Sequence, residues 1–133
     1  MNLDGYGDNM TATLKDAQER GIAPWDDIDH EKTRYFVFND RYAVTPGHKL
    51  FVPKVNNAEE INYCFLRAAE YGEWLVIKGD ANGYNLGINA GRAAGQTVMY
   101  PHIHMIPRRD GDCEDPVGGV RNVIPGRGNY KKW

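Results

Sequence analysis

Cysteine is nearly absent from this chain: Cys64 and Cys113 are the only two in 133 residues. They form no CxxC pair, so neither a disulfide framework nor a thiolate metal knuckle is indicated. A reducing compartment is the default for such a chain, and a cytoplasmic location is the expectation. Long apolar runs are missing as well. Nothing approaches the roughly 18 apolar residues that a membrane span requires. The opening MNLDGYGDNM has neither the basic nor the apolar segment of a secretory signal. Charge of one sign is also scarce. Sixteen Lys and Arg stand against 18 Asp and Glu, a net charge of -2. No global field draws in a polynucleotide, so nucleic acid is not the expected partner. The one basic cluster (Arg121, Arg127, Lys131, Lys132) follows acids at Asp112, Glu114 and Asp115. The acid pairs Asp26-Asp27 and Asp110/Asp112 are not set across a cleft by any pattern, so they read as surface charge rather than a glycosidase pair.

What remains is the composition of one soluble domain, 41% hydrophobic and 26% charged. Residues 1–24 lack a clear period, and 1–32 read as an N-terminal arm. Within it Asp16–Gly21 fits a short helical turn, and Trp25 an anchor against the body. TRYFVFND, from Thr33 to Asp40, alternates as a strand, with Tyr35 and Val37 on one face and Phe36 and Phe38 on the other. Pro46-Gly47 marks a turn before a second strand, His48–Lys54. Asn57 is a candidate helix cap, with Glu59 and Glu60 in the first turn. Ile61, Cys64, Phe65, Ala68, Ala69, Leu75 and Val76 then fit one face of a long helix, with Gly79 as its stop. Gly83–Gly91 and Thr97–Arg109 read as two more strands, separated by the loop GRAAGQ. Val120–Pro125 reads as a last short one, before a tail over 126–133. The expected fold is α+β: a five-stranded antiparallel sheet, one long helix and a short N-terminal helix.

The four histidines carry the most information. His30 stands alone and His48 follows the Pro-Gly turn. His102 and His104 are two apart in an apolar run, so as strand residues they face one side about 7 Å apart. Two imidazoles on one face serve as metal ligands, as packed core groups, or as a nucleophile with a phosphate-binding partner. The neighbouring loop favours the last. Its glycines let backbone N–H groups approach an anion, and Asn89, Gln96 and Thr97 add neutral polar groups. GRAAGQ alone is a weak signal, because it lacks the lysine of a P-loop.

YNLGINAGRAAGQTVMYPHIHMIPRR, together with TPGHKLFVPK at residues 45–54, resembles the signature of the histidine triad family of nucleotidyl hydrolases and transferases. The resemblance covers about residues 33–125, the expected catalytic domain. It implies that His102 is the nucleophile, forming a covalent nucleotidyl-histidine, with the Tyr100 carbonyl as its backbone partner. It implies that His104 contacts phosphate and leaving group, that Asn89, Gly95, Gln96 and Thr97 hold the phosphate, and that Asp40 binds the ribose. It implies a homodimer and a small-molecule nucleotide as ligand. Cofactors are not required, although magnesium could arrive with a polyphosphate substrate. One departure stands out: the family's first triad histidine is Tyr100 here. Many bacterial members hold structural zinc through ligands that include an N-terminal CxxC and that first histidine. Both are missing, so no metal is expected, and His48 is left a supporting role.

Tyr100 itself has three readings: packing behind His104, a hydrogen bond to His48 or His102, or altered substrate choice. Tyr130, Trp133, Trp25 and Phe38 are candidate base platforms. Arg108 and Arg109 either neutralise distal phosphates or sit at a solvated strand end. The function that follows is hydrolysis of a nucleotide phosphoester, phosphoramidate or dinucleoside polyphosphate, releasing a nucleoside monophosphate. The alternatives are a nucleotidyl transferase or phosphorylase, a nucleotide-binding scaffold without turnover, and a metal-binding module using His48, His102 and His104.

Overall fold

A computed structural model describes residues 11–133. Its order is helix α1 (Leu14–Glu19), strands β1 (Ile28–Glu31), β2 (Tyr35–Asn39) and β3 (Lys49–Pro53), helix α2 (Ala58–Ile77), and strands β4 (Gly83–Ile88) and β5 (Ile103–Arg108). The strands form one antiparallel sheet in the order β1-β2-β3-β5-β4.

α2 starts and stops where its chemistry dictates. The Asn57 side chain accepts the Glu60 N–H at 2.8 Å, satisfying one of the orphan donors of the first turn. At the other end Gly79 adopts φ 83°. There the Gly79 N–H bonds Val76 O at 3.1 Å and the Asp80 N–H bonds Leu75 O at 2.9 Å, the paired contacts of a Schellman stop. Cys64, Ala68, Gly72 and Leu75 are the buried stripe. They pack on one face of the sheet with Tyr35, Val37, Phe51, Ile103 and Met105. Burial pushes the Cys64 thiol up to about 12, so it is an inert core group.

Gly72 does more than interrupt the helix. A Cβ there would lie 2.5 Å from Cγ of Tyr84 on β4. Alanine favours a helix over glycine by about 1 kcal/mol, but the rooted end of a ring has little freedom to retreat. Gly72→Ala is expected to destabilise the fold by about 1–3 kcal/mol net, measured by urea denaturation; a stabilised variant would show that Tyr84 moves freely.

Register puts a second set of side chains on the opposite face. Phe38 pairs with Leu50, and Leu50 with His104. Phe38, Leu50 and Val52 join Leu14, Ala17, Ala23 and Tyr100 in a second core, with Trp25 and Phe36 packed at its edge. This face, away from α2, carries the histidines. Directly opposite His104 on β4 stands Gly87, whose missing side chain meets nothing within 4 Å. Open space is therefore built in beside the imidazole.

Three expectations are corrected. β1 lies within the presumed arm; its sequence IDHE has no apolar alternation, and its register breaks between Ile28 and His30. The expected strand at Val120–Pro125 is a 3-10 turn over Gly119–Val123 beside β4. The strand expected from Thr97 begins at Ile103. Pro101 cannot donate to a ladder, and β4 ends at Ile88, which pairs with Ile103. No described helix is long and apolar enough to cross a membrane.

Candidate active site

The segment before β5 positions the first histidine without a ladder. Tyr100 turns fully into the second core, and its hydroxyl donates to Pro53 O at 2.8 Å. This disposes of a hydrogen bond from that hydroxyl to His48 or His102. Two residues on, His102 Nδ1 meets Tyr100 O at 2.8 Å. A carbonyl only accepts, so Nδ1 carries the proton and Nε2 is left with a bare lone pair. The imidazole is buried, with the Trp25 indole 4.8 Å away between ring centroids and the His104 ring at 5.3 Å.

His104 receives its proton assignment from further off. The Val44 backbone N–H donates to His48 Nδ1 at 3.2 Å. His48 must then carry its proton on Nε2, which lies 2.9 Å from His104 Nδ1. His48 donates there, so His104 Nδ1 accepts and His104 keeps its own proton on Nε2. Partners fixed by the backbone thus give complementary rings: a bare nitrogen on His102 and an N–H on His104. Asp40 completes the group. Its Oδ1 accepts the Tyr42 N–H at 2.8 Å, while Oδ2 stands 3.3 Å from His48 Nε2 and 4.0 Å from His104 Nδ1.

All three rings titrate below the ordinary imidazole value of 6.5, chiefly because burial penalises the charged form. The charge of Asp40 opposes this shift at each. The Tyr100 carbonyl opposes it further at His102, whereas His48 reinforces it at His104. Below pH 6.5 the unfolded chain takes protons that the folded chain refuses, so stability falls with falling pH until the folded rings charge. Calorimetry from pH 8 to 5 is expected to show a melting temperature that declines below about 6.5. His48→Asn should flatten that decline; an unchanged slope would assign it to other groups.

A cleft of about 450 Å³ opens over these rings, with Trp25, Asp40, Asn89, Gly95 and Thr97 among its walls. Asn89 and Thr97 make no side-chain hydrogen bond among the described residues, and the Thr97 and Val98 N–H groups donate to no protein acceptor there. These are free neutral donors. Gln96 is different. Its Oε1 accepts the Gly91 N–H at 2.8 Å and its Nε2 donates to Val98 O at 3.1 Å, so its amide closes the loop from behind. Its backbone N–H is also occupied, by Gly91 O at 3.1 Å. The Gly95 N–H is engaged likewise by Arg92 O at 2.9 Å, and Gly95 serves through its φ of 86°. A side-chain amide aimed back into its own loop leaves no trace in sequence.

Other candidates fall away from the cleft. Arg108 is held by Asp112 and Asn85, and Arg109 by the carbonyls of Pro46 and Asp80. Tyr130 and Trp133 stack with Arg121 and Arg127 in the tail. Phe38 is fully buried beneath Trp25, which leaves the partly exposed indole as the one of these four candidates that lines the cleft. Asp26 and Asp27 are exposed surface charge, and they stand at the cleft's rim, Asp26 paired with Arg41.

Asp40, His48 and His104 are the one set of three potential ligands close enough to share a metal ion among the described residues. They do not fit one as they stand. The Val44 N–H keeps the proton of His48 on the nitrogen that would have to ligate. Neither cysteine joins the set: Cys64 lies in the α2 core and Cys113 is exposed beside Arg108.

Fold and site together define a small α+β domain that presents two complementary histidines, one from the sheet and one from the segment before it, to an open cleft. The chain belongs to the HIT domain family, which matches residues 26–111. It is 34% identical over 103 residues to an uncharacterised HIT-like protein of Methanocaldococcus jannaschii, covering 72% of this chain and 80% of that one. It is 37% identical over 76 residues to a bifunctional bis(5'-adenosyl)-triphosphatase/adenylylsulfatase of Arabidopsis thaliana, covering 52% of this chain and 42% of that one. Among solved structures, a Zn-bound histidine triad family protein of Mycobacterium smegmatis superposes with a TM-score of 0.62 at 29% identity, covering 78% of this chain and 79% of that one.

Proposed function

We propose that the protein is a nucleotidyl hydrolase working through a covalent nucleotidyl-histidine at His102. The observation that carries this reading is the pair of proton assignments. The bare Nε2 of His102 attacks the α-phosphorus, and the bond to the leaving group breaks. His104 Nε2–H donates a hydrogen bond to that group as it departs, and the group takes its proton from solvent. Water then attacks the phosphorus and loses a proton to solvent, the P–N bond breaks, and the nucleoside monophosphate leaves with His102 restored. Asn89, Thr97 and the free N–H groups of Thr97 and Val98 hold the phosphoryl oxygens, as neutral donors that do not trap a neutral nucleophile in an ion pair. Each oxygen of Asp40 keeps an acceptor site for the ribose hydroxyls.

In this reading Tyr100 stands where the family has its first histidine, and its ring serves packing. The substrates are nucleoside phosphoesters, phosphoramidates or dinucleoside polyphosphates, the last arriving with magnesium. No resident metal is required, and the setting is cytoplasmic. The test is incubation with an amine-linked adenylate. Release of AMP supports hydrolysis, transfer of AMP to added orthophosphate supports a transferase, and tight binding without release would overturn both in favour of a scaffold.

The proposal extends to a homodimer. β4 is an edge strand half-buried along its length, and α2 exposes Leu66, Trp74 and Ile77. Light scattering at micromolar concentration is expected to give twice the chain mass; a stable monomer would defeat this part.

A further inference from the structure

The loop between β2 and β3, residues 40–48, is exposed over most of its length, yet it supplies the backbone N–H that meets His48. Two side-chain contacts fasten it to the far end of β5. Thr45 Oγ1 donates to Pro107 O at 2.8 Å, immediately beside Val44. Arg109 Nη1 donates to Pro46 O at 2.9 Å, while its Nε reaches Asp80 O at 3.1 Å. Gly47, at φ 88°, lets the loop lie against Pro107; a Cβ there would stand 3.3 Å from the proline ring. Neither Thr45 nor Arg109 lines the cleft. Both sit where a shift of the loop would withdraw Val44.

We propose that Thr45 and Arg109 are positioning residues that, by holding the Val44 N–H on His48, keep the proton of His104 on the nitrogen facing the leaving group. The proposal rests on the hydrolase reading above. With Val44 in place, His48 has a single neutral form, Nε2–H, and His104 follows it. With Val44 withdrawn, His48 Nδ1 is free to carry the proton. His48 Nε2 then accepts, His104 Nδ1 donates, and His104 Nε2 is bare. No proton is gained or lost; each ring exchanges one nitrogen-bound proton for another through solvent. His102 is untouched, because its proton is held by Tyr100 O. The nucleophile therefore survives while the donor to the leaving group is lost. A hydrogen bond to the leaving group matters most where negative charge builds up on it, in a group that departs poorly. Loosening the loop should thus slow poor leaving groups and spare good ones, a split that loss of packing does not produce.

The experiment has two independent readouts on wild type, Thr45→Val, Thr45→Ser and Arg109→Gln. Long-range proton–nitrogen NMR correlations of the imidazoles report the tautomers directly, whatever the activity. Wild type and Thr45→Ser are expected to show His48 and His104 as Nε2–H, and Thr45→Val to show a mixture with the Nδ1–H form. AMP release is then compared between an alkyl ester and a p-nitrophenyl ester of AMP. Thr45→Val should lose about tenfold on the alkyl ester and at most about twofold on the p-nitrophenyl ester. Arg109→Gln should shift both readouts the same way, and it serves alone if Thr45→Val does not fold. Wild-type tautomers other than Nε2–H, unchanged tautomers in both variants, or equal losses on the two esters would overturn the proposal. Wild-type rates no higher than those of His102→Ala would instead sink the hydrolase reading, with the NMR still judging the loop.

Discussion

Replacing His102 with alanine should abolish turnover and leave nucleotide binding within a few fold. The covalent route has one attacking atom, Nε2 of this ring, and its tautomer is set by a backbone carbonyl that no neighbouring side chain can imitate. Losing a nucleophile costs roughly 10³-fold or more, with a residue of rate left by the donors that hold the phosphate. In the proposed mechanism those donors belong to Asn89, Thr97, Val98 and His104, not to His102, so the ligand should still dock. His104→Ala should be slower by less on a good leaving group than on a poor one, because the nucleophile is intact. The measurement is kcat from AMP release beside Kd from calorimetry. A His102→Ala protein of near-normal rate would end the covalent mechanism, and one that no longer binds would show that the ring chiefly shapes the pocket. Trp25 frames this site from outside the part of the chain that matches the family. Its indole lies against Phe38 on one side and His102 on the other. The burial that holds the His102 ring neutral therefore depends partly on the N-terminal segment.

Some of this was legible in the residues and some could not be. α2 was, because a capping asparagine, a repeating apolar face and a glycine stop all agree locally. The meeting of His102 and His104 was legible too, although for a partly mistaken reason. Strand parity placed both on one face, yet only His104 is in a strand; His102 is held by its own backbone two residues earlier. β1 was not legible, since IDHE is charged, short and paired on one edge alone. Its pairing with β2 is a non-local fact. The tail's Val120–Pro125 offered β-branched residues, but the preceding glycines, Gly118 at φ 95° and Gly119 at φ 53°, turn the chain into a tight coil instead. Within the site, Gln96 has the right residue type in the right loop and the wrong direction. The Val44 N–H has no signature at all, because every residue except proline carries one.

Tyr100→Ala should cost about 3–5 kcal/mol of stability, and Tyr100→Phe about 1–2 kcal/mol, while neither removes the nucleophile's partner. The ring is the largest fully buried side chain among the described residues and is packed with Leu14, Ala17, Phe38, Leu50 and Val52. Deleting an aromatic from such a place forfeits its burial and leaves a cavity. Removing only the hydroxyl leaves the shape and takes a donor from the Pro53 carbonyl, which is the cost of a buried acceptor losing its partner. Burial also pushes the phenol's pKa up, so it stays neutral across the working range and supplies no charge to the cleft. The group of Tyr100 that reaches the site is its carbonyl oxygen, and every substitution keeps that. Tyr100→Phe should therefore change kcat/KM for an adenosine phosphoramidate by no more than about tenfold, the scale of one neutral hydrogen bond. Denaturation and kinetics measured side by side separate the two roles. A lower unfolding midpoint with a preserved rate assigns the residue to packing. A loss beyond about a hundredfold with unchanged melting would make the hydroxyl part of the chemistry, which its bond to Pro53, on the core side of the segment, argues against.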